Sequence, residues 1–245
     1  MNRIRLFLFL LAAAILFAGA AAAEGESGPV RFRSAGDIVL LGQYEQDRNI
    51  GNGPEPIEWI ILEMQEGRCL LLSRYGLDAM PYNTASVNIT WEQCTLRAWL
   101  NGTFLESSFS GEEQAAILLT DVDNSREHCY SGYSTNGGVL TQDKIFLLSW
   151  KEADRYFPGV MAKMCSPTGY AVENGAWTSD SYTLNGKAAG SWWLRSPGLE
   201  QHDAIRVGNI SARRDDVSQT RNCVRPALWF NLNHSGLLSD KKADE

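Results

Sequence analysis

Two apolar tracts near the C-terminus each enclose an arginine. Residues 192–198 contain Arg195, residues 224–230 contain Arg225, and each tract also carries tryptophan. The guanidinium group stays charged at physiological pH, so an arginine inside a packed strand needs carboxylate or carbonyl oxygens around its donors. The two tracts therefore predict a buried polar network within a folded domain.

These two arginines have two interpretations. Each could hold an anionic ligand through a bidentate guanidinium fork. Alternatively, Arg195 and Arg225 form a structural network with acidic groups such as Asp37 or Glu58, which strand neighbours of this apolar character favour. We expect the structural role, in which an Arg195→Ala change impairs folding before it impairs binding.

Residues 1–23 have the pattern of a secretory signal peptide. Arg3 and Arg5 are followed by an apolar stretch over residues 6–17 and by alanines at positions 21–23, immediately before Glu24. The alternative is a retained membrane anchor, because the 18 residues from Leu6 reach the lower limit for spanning a bilayer. The alanine-rich end favours cleavage, so we expect a secreted or cell-surface protein without a membrane span after signal removal.

The charge balance excludes one class of partner. Without the signal segment the chain has 20 basic and 29 acidic side chains, so nucleic acid is not an expected partner. All eight tryptophans lie outside the signal segment, and 44% of the residues are hydrophobic. This composition predicts a sizeable hydrophobic core and argues against disorder.

Five cysteines are scattered over the mature region. Their number is odd and no Cys-x-x-Cys pair occurs, so the pattern indicates neither a disulfide framework nor a zinc site. Buried free thiols are the favoured interpretation, and a bridge between Cys129 and Cys165 is the alternative that export would permit.

Hydrophobic periodicity and turn residues predict a single α+β domain over residues 36–232. A lead segment at 24–35 precedes it, and a frayed charged tail at 233–245 follows it. Helices are predicted to begin at the capping signatures of Thr90, Ser110 and Ser149, the first of them ending at Gly102. Strands are predicted at residues 37–44, 57–64, 68–75, 144–149, 191–196, 204–211 and 224–231, with polar loops at 121–142 and 165–190.

Taken in order, these segments resemble DUF6273, a family of bacterial extracellular domains of unknown function. The segments that carry the resemblance are residues 36–38, 41–44, 55–59, 90–91, 96–101, 143–149, 192–198 and 224–230. The resemblance extends to the C-type-lectin-like fold of formylglycine-generating enzymes and of surface-display domains. It implies a mixed, antiparallel sheet flanked by two main helices, with a ligand site in long polar loops at 165–190 and 198–222.

Four residues of the first loop are candidates for ligand binding. Trp177 and Tyr182 could stack on sugar rings while Asp180 and Asn185 take the hydroxyl groups, as in many extracellular modules. The alternative is that the loop tryptophan covers the core of its own domain. On the first interpretation the partner is an extracellular glycan or protein.

A calcium site is a second, weaker hypothesis. Asp121, Asp123, Ser125 and Glu127 alternate oxygen-bearing side chains in a loop, as calcium ligands do. Gly132 occupies the twelfth place, where an EF-hand requires glutamate. A solvated acidic loop is the better interpretation, and we expect no metal or cofactor.

No catalytic motif is evident. The three histidines show no metal spacing, and hydrolase, metalloprotease and phosphate-loop signatures are absent from the sequence. We therefore expect a non-enzymatic recognition domain without catalytic residues. The alternatives are a formylglycine-generating-type cysteine oxidase, for which Cys223 lacks a partner nearby in the sequence, a carbohydrate hydrolase, or a structural part of an envelope assembly.

Overall fold

The computed structural model describes residues 34–159, 161–208 and 212–240. The predicted signal segment, most of the predicted lead segment and the last five residues lie outside this part of the chain.

The described residues contain short helices and many strands. The helices are α1 (Thr95–Trp99), α2 (Leu105–Ser108), α3 (Gly111–Ala116), α4 (Trp150–Tyr156) and α5 (Gly169–Glu173). The strands are β1 (Ile38–Tyr44), β2 (Glu55–Gln65), β3 (Arg68–Ser73), β4 (Asp78–Ala79), β5 (Thr120–Val122), β6 (Thr141–Asp143), β7 (Thr178–Leu184), β8 (Lys187–Gly190), β9 (Trp192–Pro197), β10 (Asp203–Val207), β11 (Ala212–Asp216), β12 (Cys223–Val224), β13 (Ala227–Asn231) and β14 (Ser239–Asp240).

Two five-stranded sheets form the framework. The first has the order β13-β3-β2-β1-β14 and is antiparallel throughout. The second has the order β11-β10-β9-β12-β4, in which β12 runs parallel to β9. Two antiparallel two-stranded sheets, β5-β6 and β7-β8, complete the strands. This mixture of mainly antiparallel sheets and short helices confirms the predicted α+β class.

The predicted β-meander is present as β1, β2 and β3. Its side chains alternate as expected, because Ile57, Trp59 and Ile61 are buried while Glu58 and Ile60 lie on the other face and remain partly exposed. The indole Nε1 of Trp59 donates to the carbonyl oxygen of Leu41 at 2.8 Å. This buried bond satisfies the polar atom that the tryptophan brings into the core.

The helix predicted from Thr90 is wrong in both its start and its end. Thr90 precedes a single 3₁₀ turn and makes no side-chain capping bond, and α1 begins after Cys94, whose Sγ accepts from the amide of Arg97. Helical structure then continues past Gly102 through a π turn at Leu100–Phe104 into α2. The two capping boxes at Ser110 and Ser149 are confirmed, and they start α3 and α4.

Several other predicted boundaries need correction. Residues 144–149 form no regular strand and make one bridge, from Phe146 to Ala227. The stretch 165–190, predicted as a loop, contains α5, β7 and β8. Arg225 and Pro226 divide the predicted strand 224–231 into β12 and β13, because proline supplies no amide for the ladder. The tail predicted to fray is ordered at β14, which pairs with β1.

The core lies between the sheets and helices and is rich in aromatic side chains. Its fully buried members include Trp59, Trp91, Trp192, Trp193 and Phe104. Within the described residues, no helix combines the length and apolar character needed to cross a lipid bilayer.

Candidate functional site

A cleft of about 710 Å³ lies over the face of the first sheet that points away from the core. Leu40 of β1 and Glu58 of β2, which are paired neighbours in the sheet, contribute from this face. Arg74 and Tyr75, directly after β3, continue the surface. Residues 168–169 at the start of α5 also line the cleft, as do residues of the turn between β7 and β8.

An ion pair fixes the sheet side of the cleft. Nη1 of Arg74 lies 2.5 Å from Oε2 of Glu58, and both side chains are about one-fifth exposed. The backbone amide of Arg74 also donates to the carbonyl oxygen of Glu58 at 2.8 Å. The pair is therefore held at both backbone and side chain, which gives the cleft an ordered set of donors and acceptors.

Tyr75 places an aromatic ring beside this pair. The Nζ atom of Lys187 lies 4.5 Å from the ring centroid, and Cζ of Arg74 lies 5.2 Å from it. Both distances lie within the range of cation–π interactions. Lys187 is exposed on β8, so its contact with Tyr75 joins the hairpin to the sheet across the cleft.

Three carboxylates gather beside the cleft, and two of them, Asp47 and Glu55, line it. Glu45, Asp47 and Glu55 each have one oxygen within 4.8 Å of the others. Oε2 of Glu55 accepts from the amide of Gln46 at 2.7 Å, while its buried Oε1 has no partner among the described residues. Hydrogen bonds from the Asn52 side chain and the Asn49 amide lower the pKa of Asp47. These contacts account for the cluster as part of the loop at 46–54 and its two flanking residues, Glu45 and Glu55.

The β7-β8 turn sets the position of one predicted ligand residue. Asn185 and Gly186 form a two-residue connection in which both φ angles are positive, at 52° and 77°. This is the conformation of the Asn-Gly hairpin turn. It brings Asn185 and Lys187 to the cleft.

The other three predicted ligand residues do not line this cleft. Trp177 is 38% exposed, and its amide donates to the carbonyl oxygen of Arg221 at 2.9 Å. Asp180 is exposed and Tyr182 is half-buried, within the irregular part of β7 where the pairing with β8 shifts. The structure thus brings Asn185 together with residues that the sequence did not suggest, namely Glu58, Arg74, Tyr75 and Lys187.

The signals for these missed residues were partly visible. Glu58 is the polar member of an alternating strand, and Asn185-Gly186 is a strong hairpin signal within residues 178–190. Their meeting depends on the docking of α5 and the hairpin against the first sheet, which no local pattern encodes.

The predicted partner of Arg195 was wrong. The guanidinium group, 2% exposed, pairs with Glu152 rather than with Asp37 or Glu58. It also donates to the carbonyl oxygen of Leu147 at 2.8 Å and to Oδ1 of Asn124 at 3.1 Å. Burial alone would raise the pKa of Glu152, but the charge and hydrogen bonds of Arg195 outweigh it and lower that pKa.

Arg225 has a different environment, and neither Asp37 nor Glu58 pairs with it. Its Nε donates to the carbonyl oxygen of Ser73 at 2.9 Å, and its Cζ lies 4.8 Å from the ring centroid of Trp192. The buried Nη1 has no hydrogen-bond partner within the described ranges. Burial lowers the pKa of Arg225, and its other electrostatic neighbours are the thiols of Cys165 and Cys223.

A histidine lies beside the Arg195 network. Nδ1 of His128 is 3.0 Å from the hydroxyl of Ser149, and Nε2 is 3.4 Å from Oδ2 of Asp123. Burial, followed by the charge of Arg195, lowers the pKa of His128. Ser149 is fully buried and caps α4, so this Ser-His-Asp arrangement gives a substrate no access to the hydroxyl.

The residues of the calcium hypothesis are engaged with other groups. Asp121 lies in β5 and accepts from the side chain of Gln142 at 3.0 Å. Oδ1 of Asp123 accepts from the amide of Ser125 at 2.8 Å, and Glu127 lies 3.2 Å from Lys151. The weaker hypothesis of calcium at these residues stays untested, and the absence of a metal stays a prediction.

All five cysteines are free and buried. Burial raises the pKa of Cys69 and Cys94 to about 12. Cys165 pairs with Gly190 in an antiparallel bridge, and Sγ of Cys223 lies 3.5 Å from where a Cβ atom would stand at Gly190. These two thiols are therefore neighbours, at 2% and 1% exposure, and burial raises both pKa values.

Comparison with known proteins identifies a family. The family model described as "Domain of unknown function (DUF6273)" matches residues 66–232, which include every strand from β3 to β13. No curated protein and no solved structure matches the chain.

Proposed function

This chain belongs to the DUF6273 family, and we propose that it is a secreted, non-enzymatic recognition domain that binds a glycan in the cleft between the first sheet and the β7-β8 hairpin. The scaffold we propose is C-type-lectin-like, with the ligand held between residues 40–75 of the first sheet and residues 168–187 of the C-terminal half.

One observation carries the proposal: the cleft combines an aromatic ring with ordered donors and acceptors. Glu58 accepts, Arg74, Asn185 and Lys187 donate, and the Tyr75 ring becomes available to a sugar when the flexible Lys187 side chain moves from it. Sugar hydroxyl groups need both kinds of partner, while the apolar face of a sugar ring packs on an aromatic side chain. The cleft volume of about 710 Å³ lies in the usual range for small-molecule sites.

The presence of both negative and positive side chains in the cleft favours a polyhydroxylated ligand over a simple anion or cation. Asp47, Glu55 and Glu58 bring negative charge, whereas Arg74 and Lys187 bring positive charge. A neutral ligand with many hydroxyl groups can use both sets without leaving a charge unpaired.

The thiols argue for binding over cysteine oxidase chemistry. Such chemistry needs a thiolate that meets its substrate, and a reactive thiol has a lowered pKa and an accessible surface. Cys165 and Cys223 are neighbours, but both are buried and both have raised pKa values. A peptide substrate could reach neither sulfur without local unfolding.

The carboxylates of the cleft support binding over glycoside hydrolysis. A hydrolase places two carboxyl groups on opposite sides of the scissile bond. Asp47, Glu55 and Glu58 all come from β2 and the loop before it, whereas α5 and the hairpin contribute Thr168, Asn185 and Lys187.

A glycan array probed with residues 24–245 tests the proposal, with calorimetry on the glycans that bind. We expect Lys187→Ala and Asn185→Gly to weaken binding, since glycine keeps the turn conformation while removing the amide. Lys151→Ala is the matched control, because it removes an equal charge from an exposed ion pair outside the cleft. Binding that the cleft variants leave unchanged, or cleavage of a bound glycan seen by mass spectrometry, would contradict the proposal.

A further inference from the structure

We infer that the ligand is an extended oligosaccharide whose chain continues from the cleft into a second groove beside β1. The inference rests on the proposed function and specifies the class of glycan: a linear chain that fills two adjoining subsites, rather than a single terminal sugar.

The second groove adjoins the cleft. It has a volume of about 510 Å³ and shares two lining residues, Leu40 and Pro56, with the cleft. Leu40 is partly exposed and Pro56 is exposed. The two cavities are therefore separated by a short apolar surface made by these two side chains, on which the apolar face of a sugar ring can pack.

One residue that lines the groove has a buried polar atom without a partner. Ser108 is 4% exposed, and its buried Oγ has no hydrogen-bond partner among the described residues. Buried hydroxyl groups in folded proteins are nearly always hydrogen-bonded, because leaving one unpaired costs free energy. This atom is covered in the ligand-free groove, so a ligand hydroxyl would satisfy it once the Ser108 side chain rotates toward the groove.

A carboxylate in the same groove is held in place by two amides. Oε1 of Glu113 accepts from the amide of Gly42 at 3.0 Å, and Oε2 accepts from the amide of Ser110 at 2.7 Å. The second bond belongs to the capping box of α3. Glu113 thus has a fixed orientation, and the remaining lone pairs of its carboxylate can accept from a sugar hydroxyl.

A glycine in β1 allows the opposite wall of the groove to lie close to the strand. Gly42 has a φ of +66°, and a Cβ atom there would stand 2.6 Å from the carbonyl oxygen of Ser108. Glycine therefore allows the segment at 107–110 to approach β1 closely. β14 pairs with the edge of β1 at Val39 and Leu40, and the groove continues along the following residues, Leu41 to Gln43.

Two adjoining polar subsites separated by an apolar contact match a linear oligosaccharide. Each further sugar adds contacts without a second loss of translational freedom, so affinity rises with chain length until both subsites are filled. Two unrelated small ligands would show no such dependence.

The test measures affinity against chain length by calorimetry. The probes are linear homologous series from the monosaccharide to the hexasaccharide, built from glucose, mannose, galactose and N-acetylglucosamine. For the series that binds, we expect about a tenfold or greater gain from monosaccharide to tetrasaccharide, which is about 1.4 kcal/mol or more.

A substitution at the rim of the groove tests the contribution of the second subsite separately from that of the cleft. Ser107 is an exposed groove residue on α2, and Ser107→Trp would fill the groove. We expect it to abolish the gain with chain length and to leave monosaccharide affinity unchanged. Glu106→Trp is the matched control, because Glu106 is also exposed on α2 but does not line the groove. Thermal melting checks that both variants fold.

The outcomes distinguish this inference from the proposed function. Equal affinity for all chain lengths, or an unchanged gain in Ser107→Trp, overturns the extended ligand while binding in the cleft stands. If no member of any series binds, the extended ligand is overturned, and the glycan array decides the proposed function separately.

Discussion

Glu152 binds Arg195 with both of its carboxylate oxygens. Nη2 of Arg195 lies 2.8 Å from Oε1, and Nη1 bonds to Oε2. The same Oε2 accepts from the amide of Ser149 at 2.8 Å, which closes the capping box of α4. One side chain therefore neutralises the buried cation of β9 and caps the helix that packs beside it.

Removing the cation from this pair should destabilise the protein strongly. Breaking a buried ion pair by deleting one partner costs about 3–5 kcal/mol, because the other charge stays behind unpaired. We expect Arg195→Ala to approach this loss in the free energy of unfolding, measured by urea denaturation. Arg48→Ala, which opens an exposed pair with Glu173, should cause little change. A variant of normal stability that has lost glycan affinity would instead assign Arg195 to the ligand site.

The protein should lose stability as the pH falls below about 6.5, the ordinary pKa of histidine. The pKa of His128 is lower in the folded state, where Asp123, Glu152, Arg195 and Lys151 surround it. The unfolded chain therefore binds a proton first, and stability falls from about pH 6.5 down through the folded pKa.

Thermal melting of a His128→Gln variant checks this effect. The variant should lose less stability than the wild type between neutral pH and the range where carboxylates begin to protonate. The lowered pKa of Glu152 adds a separate loss as pH falls through its folded value, and this loss should persist in the variant. If the melting temperatures of both proteins fall equally with pH above that range, His128 is not the cause of the loss.

Millimolar calcium should leave the melting temperature unchanged. Asp121 and Asp123 accept hydrogen bonds from Gln142 and Ser125, and Glu127 pairs with Lys151, so a cation would have to replace these partners. Differential scanning fluorimetry with and without a chelator measures this. A rise in melting temperature that Asp123→Asn removes would support the calcium hypothesis.

Ser110 and Thr90 share the same capping signature in the sequence, but replacing each with alanine should cost different amounts of stability. The hydroxyl of Ser110 accepts from the amide of Glu113, whereas Thr90 makes no side-chain cap bond. We expect Ser110→Ala to cost about 1 kcal/mol, the typical value for a lost helix cap. Thr90→Ala should cost less in the same urea titration, and an equal cost would show that Thr90 does cap the turn.

The contrast between Ser110 and Thr90 shows how far local sequence patterns predict the fold. The meander of β1 to β3 follows from alternation and turn residues, which act within a few positions of the chain. The start of α1 does not, because the side chain that caps the helix belongs to Cys94, four residues after the Thr90 signature. A capping box in the sequence specifies a possible bond, and packing decides whether it forms.

The candidate site depends even more on long-range packing. Asn185 could be proposed from its polar, glycine-containing surroundings, but its neighbours in the cleft are more than 100 residues earlier in the chain, at Glu58 and Arg74. The partner of Arg195 was missed for a similar reason. Glu152 could be identified as a helix-capping residue, and its second role requires β9 to lie beside α4.

The burial of all five thiols has a chemical consequence for handling the protein. Alkylating reagents and oxidants react with thiolates, which are scarce when the pKa is raised and the sulfur is covered. The native fold therefore shields a chain with an odd number of cysteines from wrong pairing and from intermolecular crosslinks. Rapid labelling by a maleimide would then report opening of the fold itself, residue by residue.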